Sequence, residues 1–80
     1  MESKKEKDAR RTGKLDRLRH LGKHVQTQAA NLLADVCRDE DADPALADLL
    51  VEVANFGEVA AARAEQAAER IAELAAQSSD

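Results

Sequence analysis

The stretch RDEDADPA, residues 38–45, separates two runs in which small and apolar residues recur at alternating steps of three and four. This spacing places the recurring residues along one side of an α-helix. Before the stretch they are Leu15, Leu18, Gly22, Val25, Ala29, Leu32 and Val36. After it they are Leu46, Leu50, Val53, Gly57, Ala60, Ala64, Ala67, Ile71 and Leu74. The sequence therefore predicts an all-α fold, an antiparallel two-helix hairpin that packs like a coiled coil.

The apolar pattern is a mirror image about the turn, and this symmetry predicts which residues face each other. Positions whose numbers sum to 82 should lie opposite one another, so Val25 should face Gly57 and Gly22 should face Ala60. A larger residue then faces a smaller one along the hairpin, which lets the two helices interdigitate. We therefore expect both glycines to serve close packing, although each costs a helix about 1 kcal/mol relative to alanine.

The helix boundaries follow from capping chemistry. Asp43 is a good N-cap, and Pro44 suits the first helical position, where its missing N–H is no loss. Residues 1–9 are rich in Lys and Glu and have no apolar period, so we expect a flexible N-terminal tail. The single domain should span 10–76, with the first helix at 10–38, the turn at 39–43, the second helix at 44–76 and a frayed end at 77–80.

The corner sequence DEDADPALADLL, residues 39–50, resembles the corner of the Rop family of plasmid copy-number proteins. That family is a helical hairpin that dimerises into a four-helix bundle and binds paired RNA hairpins. The resemblance implies the hairpin architecture alone. The RNA-contacting residues of that family lie along its first helix and include an aromatic, and they do not map one by one onto this chain.

A chain of 80 residues in two helices has one apolar stripe per helix to bury, which is marginal for independent stability. A row of alanines beside the stripe of the second helix would permit close approach of another helix. We therefore predict a homodimer that forms a four-helix bundle. Its expected interface consists of Ala47, Ala54, Ala61, Ala68, Ile71 and Leu74.

The net charge of −4 conceals a strong asymmetry along the chain. Residues 1–24 carry nine Lys or Arg and four acids, whereas residues 25–80 carry three and twelve. Several basic residues share a flank of the hairpin with two large apolar side chains, and Arg and aromatic residues are enriched at protein interfaces. The predicted partner-binding residues are Lys14, Arg17, Leu21, Phe56, Arg63 and Arg70. The competing interpretation is a set of ordinary solvated side chains.

Two groups of side chains have the spacing of metal ligands, and neither predicts a metal site. Asp39, Asp41 and Asp43 have the spacing of a calcium-binding EF-hand loop, but that loop needs a glycine and a glutamate where this chain has Pro44 and Leu50. The second group consists of Asp16, His20 and His24, which share one face of the helix. No second cluster of ligands is evident to complete a metal site there. We expect no metal and no cofactor.

No catalytic constellation is evident either. A nucleophile needs a nearby base and a concave pocket, and Cys37 is thirteen residues from His24 along the same helix. Cys37 is the single cysteine, so it cannot form a disulfide within the chain but could cross-link two copies under oxidation. Because it lies beside Val36 near the end of the first helix, we expect it to be a small core residue. The sequence predicts a protein that is not an enzyme.

The functional prediction is a small regulatory or inhibitory protein that docks a helical face onto a protein partner. An inhibitor of a nucleic-acid-processing complex, of the kind phages and plasmids encode, is the narrower hypothesis. We expect a cytoplasmic protein, because no run of residues approaches the length of a membrane span and the N-terminus lacks a signal-peptide core.

Two other functions remain open. One is an assembly subunit with a purely structural role. The other is a dimeric nucleic-acid-binding protein that uses the basic half of the first helix. Its binding residues would be Arg10, Lys14, Arg17, Arg19 and Lys23.

Overall fold

The structure is a computed structural model that describes residues 2–77. Two helices, α1 at Lys4–Cys37 and α2 at Pro44–Gln77, pack against each other in antiparallel orientation, and the described residues contain no strand. The hairpin measures 63 by 20 by 13 Å between its outermost Cα atoms. The predicted all-α helical hairpin is confirmed.

Helix α1 begins at Lys4, earlier than the sequence-based start at residue 10. The hydroxyl of Ser3 accepts a hydrogen bond from the Glu6 N–H at 3.2 Å, which caps the helix. One turn further, Arg10 makes two hydrogen bonds of 2.9 Å to the carboxylate of Glu2. Most of the segment expected to be a tail is therefore helical. Met1 and residues 78–80 lie outside the described residues, whereas Gln77 still belongs to α2.

The turn between the helices is held by aspartate side chains. The Asp39 carboxylate accepts a hydrogen bond from the Asp41 N–H at 3.0 Å. The Asp43 carboxylate accepts one from the Ala45 N–H at 3.0 Å, so Asp43 caps α2 and Pro44 is its first residue, as predicted. The Asp43 side chain thus satisfies one of the backbone donors that the first turn of a helix leaves without a partner.

The seam between the helices differs from the predicted one by a rotation of each helix. On each helix the predicted seam consists of two adjacent rows of residues that recur every seven positions. One of these rows remains in the seam, the row of Gly22 on α1 and the row of Gly57 on α2. The other predicted row is exposed, and the row that flanks the glycine row on its opposite side is covered instead. The covered residues of α2 are Ala47, Leu50, Ala54, Gly57, Ala61, Ala64, Ala68 and Ile71.

Small residues account for this rotation, because they let the two backbones touch. A Cβ atom on Gly22 would lie 2.7 Å from the carbonyl oxygen of Gly57 and 2.8 Å from the backbone nitrogen of Ala61. Such separations are possible only without a side chain. The structure therefore places Gly22 against Gly57 and Ala61 rather than against Ala60, and the packing role predicted for the two glycines is confirmed.

The rotation also corrects the residues expected at a dimer interface. Ala61 is 5% exposed, and the other three alanines of the predicted row, Ala47, Ala54 and Ala68, are half-buried at the seam within the chain. Ile71 is half-buried as well, while Leu74 is exposed. The alanine row is thus covered at least in part by the hairpin itself, and Leu74 is the exposed large residue of the predicted interface.

Candidate protein-binding groove

The rotation leaves the large apolar side chains on one broad side of the hairpin, which we call the apolar face. Each of these side chains is between 41 and 74% exposed. Helix α1 contributes Leu18, Leu21, Val25 and Leu32, and helix α2 contributes Leu46, Leu49, Val53, Phe56 and Leu74. Heptad spacing assigns them to two adjacent rows on each helix, next to the seam. Contiguous exposed apolar surface of this kind is unusual in monomeric proteins.

A groove runs along the middle of the apolar face, with a volume of about 590 Å³. Its floor includes Gly22 and Gly57, the buried glycines at which the helices meet. Leu21 forms part of one wall and Phe56 part of the other, and Arg63 lies on the edge beyond Phe56. The glycine contact therefore has two effects, because it brings the helices together and creates a depression between their larger side chains.

The groove continues towards the turn through a second depression between Val25, Leu32 and Val53. Asp35 lies at its rim. A third and more polar depression, at the open end of the hairpin, is lined by Arg11 and Leu74 among others. The concave surface thus follows most of the length of the molecule, a shape suited to an elongated partner.

Phe56 is the most exposed of the large apolar residues, at 74%. Burying such a side chain fully is worth about 1.5–3 kcal/mol, which this conformation leaves largely unused. Leu21 on the opposite wall is 58% exposed. A docked partner that covered Leu21 and Phe56 would gain binding free energy from the burial of both side chains.

The groove brings together Leu21, Phe56 and Arg63, three of the six residues predicted to bind a partner. Arg63 donates a hydrogen bond to Gln66 at 2.9 Å on the outer side of α2. Arg70 lies one heptad further along and forms an exposed ion pair of 3.2 Å with Glu73. The other two, Lys14 and Arg17, are exposed on α1 outside the groove lining.

The residues predicted to bind nucleic acid do not form one surface. Arg10 is paired with Glu2, and the hydrogen bond between them lowers the pKa of the Glu2 carboxyl. Arg19 is paired with Asp16 at 2.9 Å and lies with Ala68 on the side of the seam away from the apolar face. Lys14 and Arg17 are near the apolar face, whereas heptad spacing puts Lys23 in the row of Asp16 on the other side.

The candidate metal ligands and Cys37 all lie on the surface of the hairpin. Within residues 2–77, no group of three or more His, Cys, Asp or Glu side chains is placed to hold a metal ion. The Asp16 carboxylate contacts Arg19 and, at 3.4 Å, His20. Cys37 is exposed and free, not the core residue that the sequence suggested.

The apolar period predicted that several residues of the apolar face lie in the core, notably Leu18, Val25 and Val53. On α2 the signal that distinguishes the two faces is residue size, whereas α1 has no matching row of small residues. Ala54, Ala61 and the other small residues repeat every seven positions beside Gly57, and such a row lets two antiparallel helices approach closely. A seam predicted from the small residues would leave the neighbouring row of large residues exposed.

Searches against protein-family models, curated proteins and solved structures find no match to this chain. The structure itself defines the class, a two-helix all-α hairpin with one exposed apolar face. Neither helix within the described residues combines the length and apolar character needed to cross a membrane.

Proposed function

We propose that this chain is a small cytoplasmic protein, not an enzyme, that regulates or inhibits a protein partner by docking its apolar face onto a helical surface. The observation that carries the proposal is the segregation of large apolar side chains. Within residues 2–77, eleven large apolar side chains are exposed, and all but Val51 and Val59 belong to the apolar face. Apolar side chains exposed without functional constraint would be scattered around both helices.

The form of the groove favours a helical partner. A helix presents its side chains as ridges, and a groove between two other helices accepts such a ridge. Grooves lined by leucine, valine and an aromatic residue commonly bind an amphipathic helix in this way. Leu21 and Phe56 would supply the buried contacts, and Arg63 and Lys14 would lie at the polar rim.

Inhibition of a nucleic-acid-processing complex is the narrower form of this proposal. It is supported by the combination of a small, acidic chain and a docking surface. The alternative, a dimeric nucleic-acid binder, has weaker support because Arg10 and Arg19 are already paired with carboxylates. Arg19 also lies on the side away from Lys14 and Arg17.

Site-specific photo-crosslinking in host cells tests the proposal. A photoreactive phenylalanine analogue replaces Phe56 in one variant and Val51 in a matched control, which is 43% exposed but lies outside the apolar face. We expect discrete protein adducts from position 56 and few from position 51. Equal yields at both positions would contradict the proposal. Adducts that are lost after nuclease treatment would favour the nucleic-acid alternative.

A further inference from the structure

We infer that, until its protein partner binds, this chain covers its apolar face with the apolar face of a second copy, docked so that the turn of each hairpin lies at the open end of the other. This inference goes beyond the proposed function, because the second copy occupies the same face and the protein partner would have to displace it. Three observations support it. They are the size of the face, the distribution of charge along it, and the position of a two-fold axis, which is the same whether it is derived from α1 or from α2.

The apolar face is large enough for a stable dimer. At 63 by 20 Å between Cα atoms, the broad side of the hairpin exceeds the roughly 800 Å² per partner that a standard stable interface buries. Two hairpins stacked through such faces make a four-helix bundle, which gives both copies a core that neither has alone. Within the described residues, the buried apolar side chains of one hairpin are limited to Ala29, Leu50, Ala61 and Ala64.

Charge along the edges of the apolar face differs between its two ends. The open end carries Lys7 and Lys14 on α1, and on α2 it carries Arg63, Arg70 and the acid Glu73, which is paired with Arg70. The end near the turn carries one base, Arg38, and six acids, which are Asp35, Asp39, Glu40, Asp41, Asp43 and Glu52. Antiparallel docking brings each basic end to an acidic end. Parallel docking would place Lys14 of one copy near Arg63 and Arg70 of the other, where like charges repel.

The edge of α1 is self-complementary about Leu21. Lys7 and Asp35 are each fourteen residues from Leu21, and Lys14 and Gln28 are each seven residues from it, so all five positions share one edge of the helix. A two-fold axis at Leu21 would pair Lys7 with Asp35 of the second copy. It would also bring the two exposed Leu21 side chains together.

The edge of α2 gives the same position for the axis. Phe56 and Arg63 are one heptad apart, so a two-fold axis midway between them would place the Arg63 guanidinium of each copy near the Phe56 ring of the other, a favourable cation–π geometry. Gly22 contacts both Gly57 and Ala61, so the level of Leu21 on α1 corresponds to residues 59–60 on α2. The midpoint between Phe56 and Arg63 lies at that same level, as a single axis requires.

Disulfide trapping tests the orientation, and the native thiol is first removed by Cys37→Ser. In that background, Leu21→Cys places one thiol beside the proposed axis in each copy. Leu32→Cys is the matched control, because Leu32 belongs to the same face and is similarly exposed but lies eleven residues, or about 16 Å, from the axis. We expect oxidation to link most of the Leu21→Cys chains as dimers and few of the Leu32→Cys chains. Ala60→Cys, on α2 near the same axis, should behave like Leu21→Cys. It provides a second cross-linking position in case the substitution of Leu21 disturbs the local structure.

Sedimentation equilibrium of the unmodified chain supplies the independent measurement. We expect a particle of twice the 8.7 kDa chain mass, which Phe56→Glu converts to the monomer and Val51→Glu does not. A monomer from micromolar to near-millimolar concentration would overturn the inference, and foreign adducts from position 56 would then leave the proposed function standing. A dimer in which neither Leu21→Cys nor Ala60→Cys cross-links would overturn the antiparallel arrangement. A monomer with no adducts at position 56 would overturn both proposals.

Discussion

Gly22 and Gly57 meet where the two helices approach each other most closely, and each fills the space in which the other's side chain would lie. A Cβ atom on Gly57 would be 2.5 Å from the carbonyl oxygen of Gly22 and 2.7 Å from the backbone nitrogen of Gln26. Both obstacles are backbone atoms, which cannot move aside as the end of a long side chain can. The distance between the helices, the choice of residues in the seam and the position of the apolar face all depend on this contact.

Alanine substitution of the three glycines should separate the effect of packing from that of helix propensity. Gly57→Ala and Gly22→Ala should each lower the free energy of unfolding by about 1–3 kcal/mol, because the added methyl group forces the backbones apart. Gly13→Ala is the control, since a Cβ there would have nothing within 4 Å. It should stabilise α1 by roughly 0.5–1 kcal/mol. Thermal unfolding followed by circular dichroism measures all three, and a gain in stability at Gly22 or Gly57 would contradict the observed contact.

Two neighbouring alanines distinguish the observed seam from the one expected from the apolar period. Ala61 is 5% exposed against Gly22, whereas Ala60 is exposed on the apolar face. Ala61→Leu should therefore destabilise the hairpin by about 1–3 kcal/mol through overpacking. Measured in the Phe56→Glu background, which should be monomeric, Ala60→Leu should change the stability of the hairpin by less than about 0.5 kcal/mol, as at other exposed positions. Chemical denaturation measures both, and the reverse order would support the seam in which Ala60 faces Gly22.

The apolar period could predict the hairpin but not the rotation of its helices. The predicted and the observed seam of α2 both contain Leu50, Gly57 and Ala64. The alternating steps of three and four residues are therefore kept whichever neighbouring row completes the seam. Pairing large residues with small ones favoured the row of Val53. The structure instead packs Gly22 against Gly57 and Ala61, which lets the backbones touch there, and the larger Arg19, Gln26 and Leu33 complete the seam of α1.

Local capping signals were more informative than the period, although one was overlooked. Asp43 followed by Pro44 predicted the start of α2 correctly. Ser3 and Glu6 have the S-x-x-E spacing of a helix N-terminus, and this signal would have predicted the observed start of α1. The apolar face could not be predicted with the same certainty, since exposure of a large side chain depends on how both helices are rotated.

The cap at the start of α2 gives a test of the turn. Asp43→Ala removes the acceptor of the Ala45 N–H and should cost about 1 kcal/mol of stability. Asp41→Ala is the matched control, because the Asp41 carboxylate accepts no hydrogen bond among the described residues. It should have little effect. Equal losses in the two variants, measured by chemical denaturation, would mean that turn charge rather than the cap determines stability here.

The carboxyl group of Asp16 should titrate below its usual value of 3.8. The main cause is the hydrogen bond from Arg19, and the charge of the nearby His20 also favours the ionised form. A pKa lowered in the folded state contributes stability above the unfolded pKa, and this contribution is lost as pH falls through the folded pKa. The contact should therefore be intact at neutral pH and fail in acid. NMR titration of the carboxyl carbon measures the pKa directly.

Two substitutions separate the hydrogen bond from the general effect of positive charge on Asp16. Arg19→Gln removes the charged donor and should raise the pKa of Asp16 towards 3.8. Lys23→Gln removes a charge one heptad away on the same side of α1 and should leave that pKa almost unchanged. Salt screens charge–charge attraction between exposed groups, whereas a direct hydrogen bond is less sensitive to it. Most of the lowering of the pKa should therefore persist at high ionic strength, and its disappearance there would mean that long-range attraction, not the contact with Arg19, is the dominant cause.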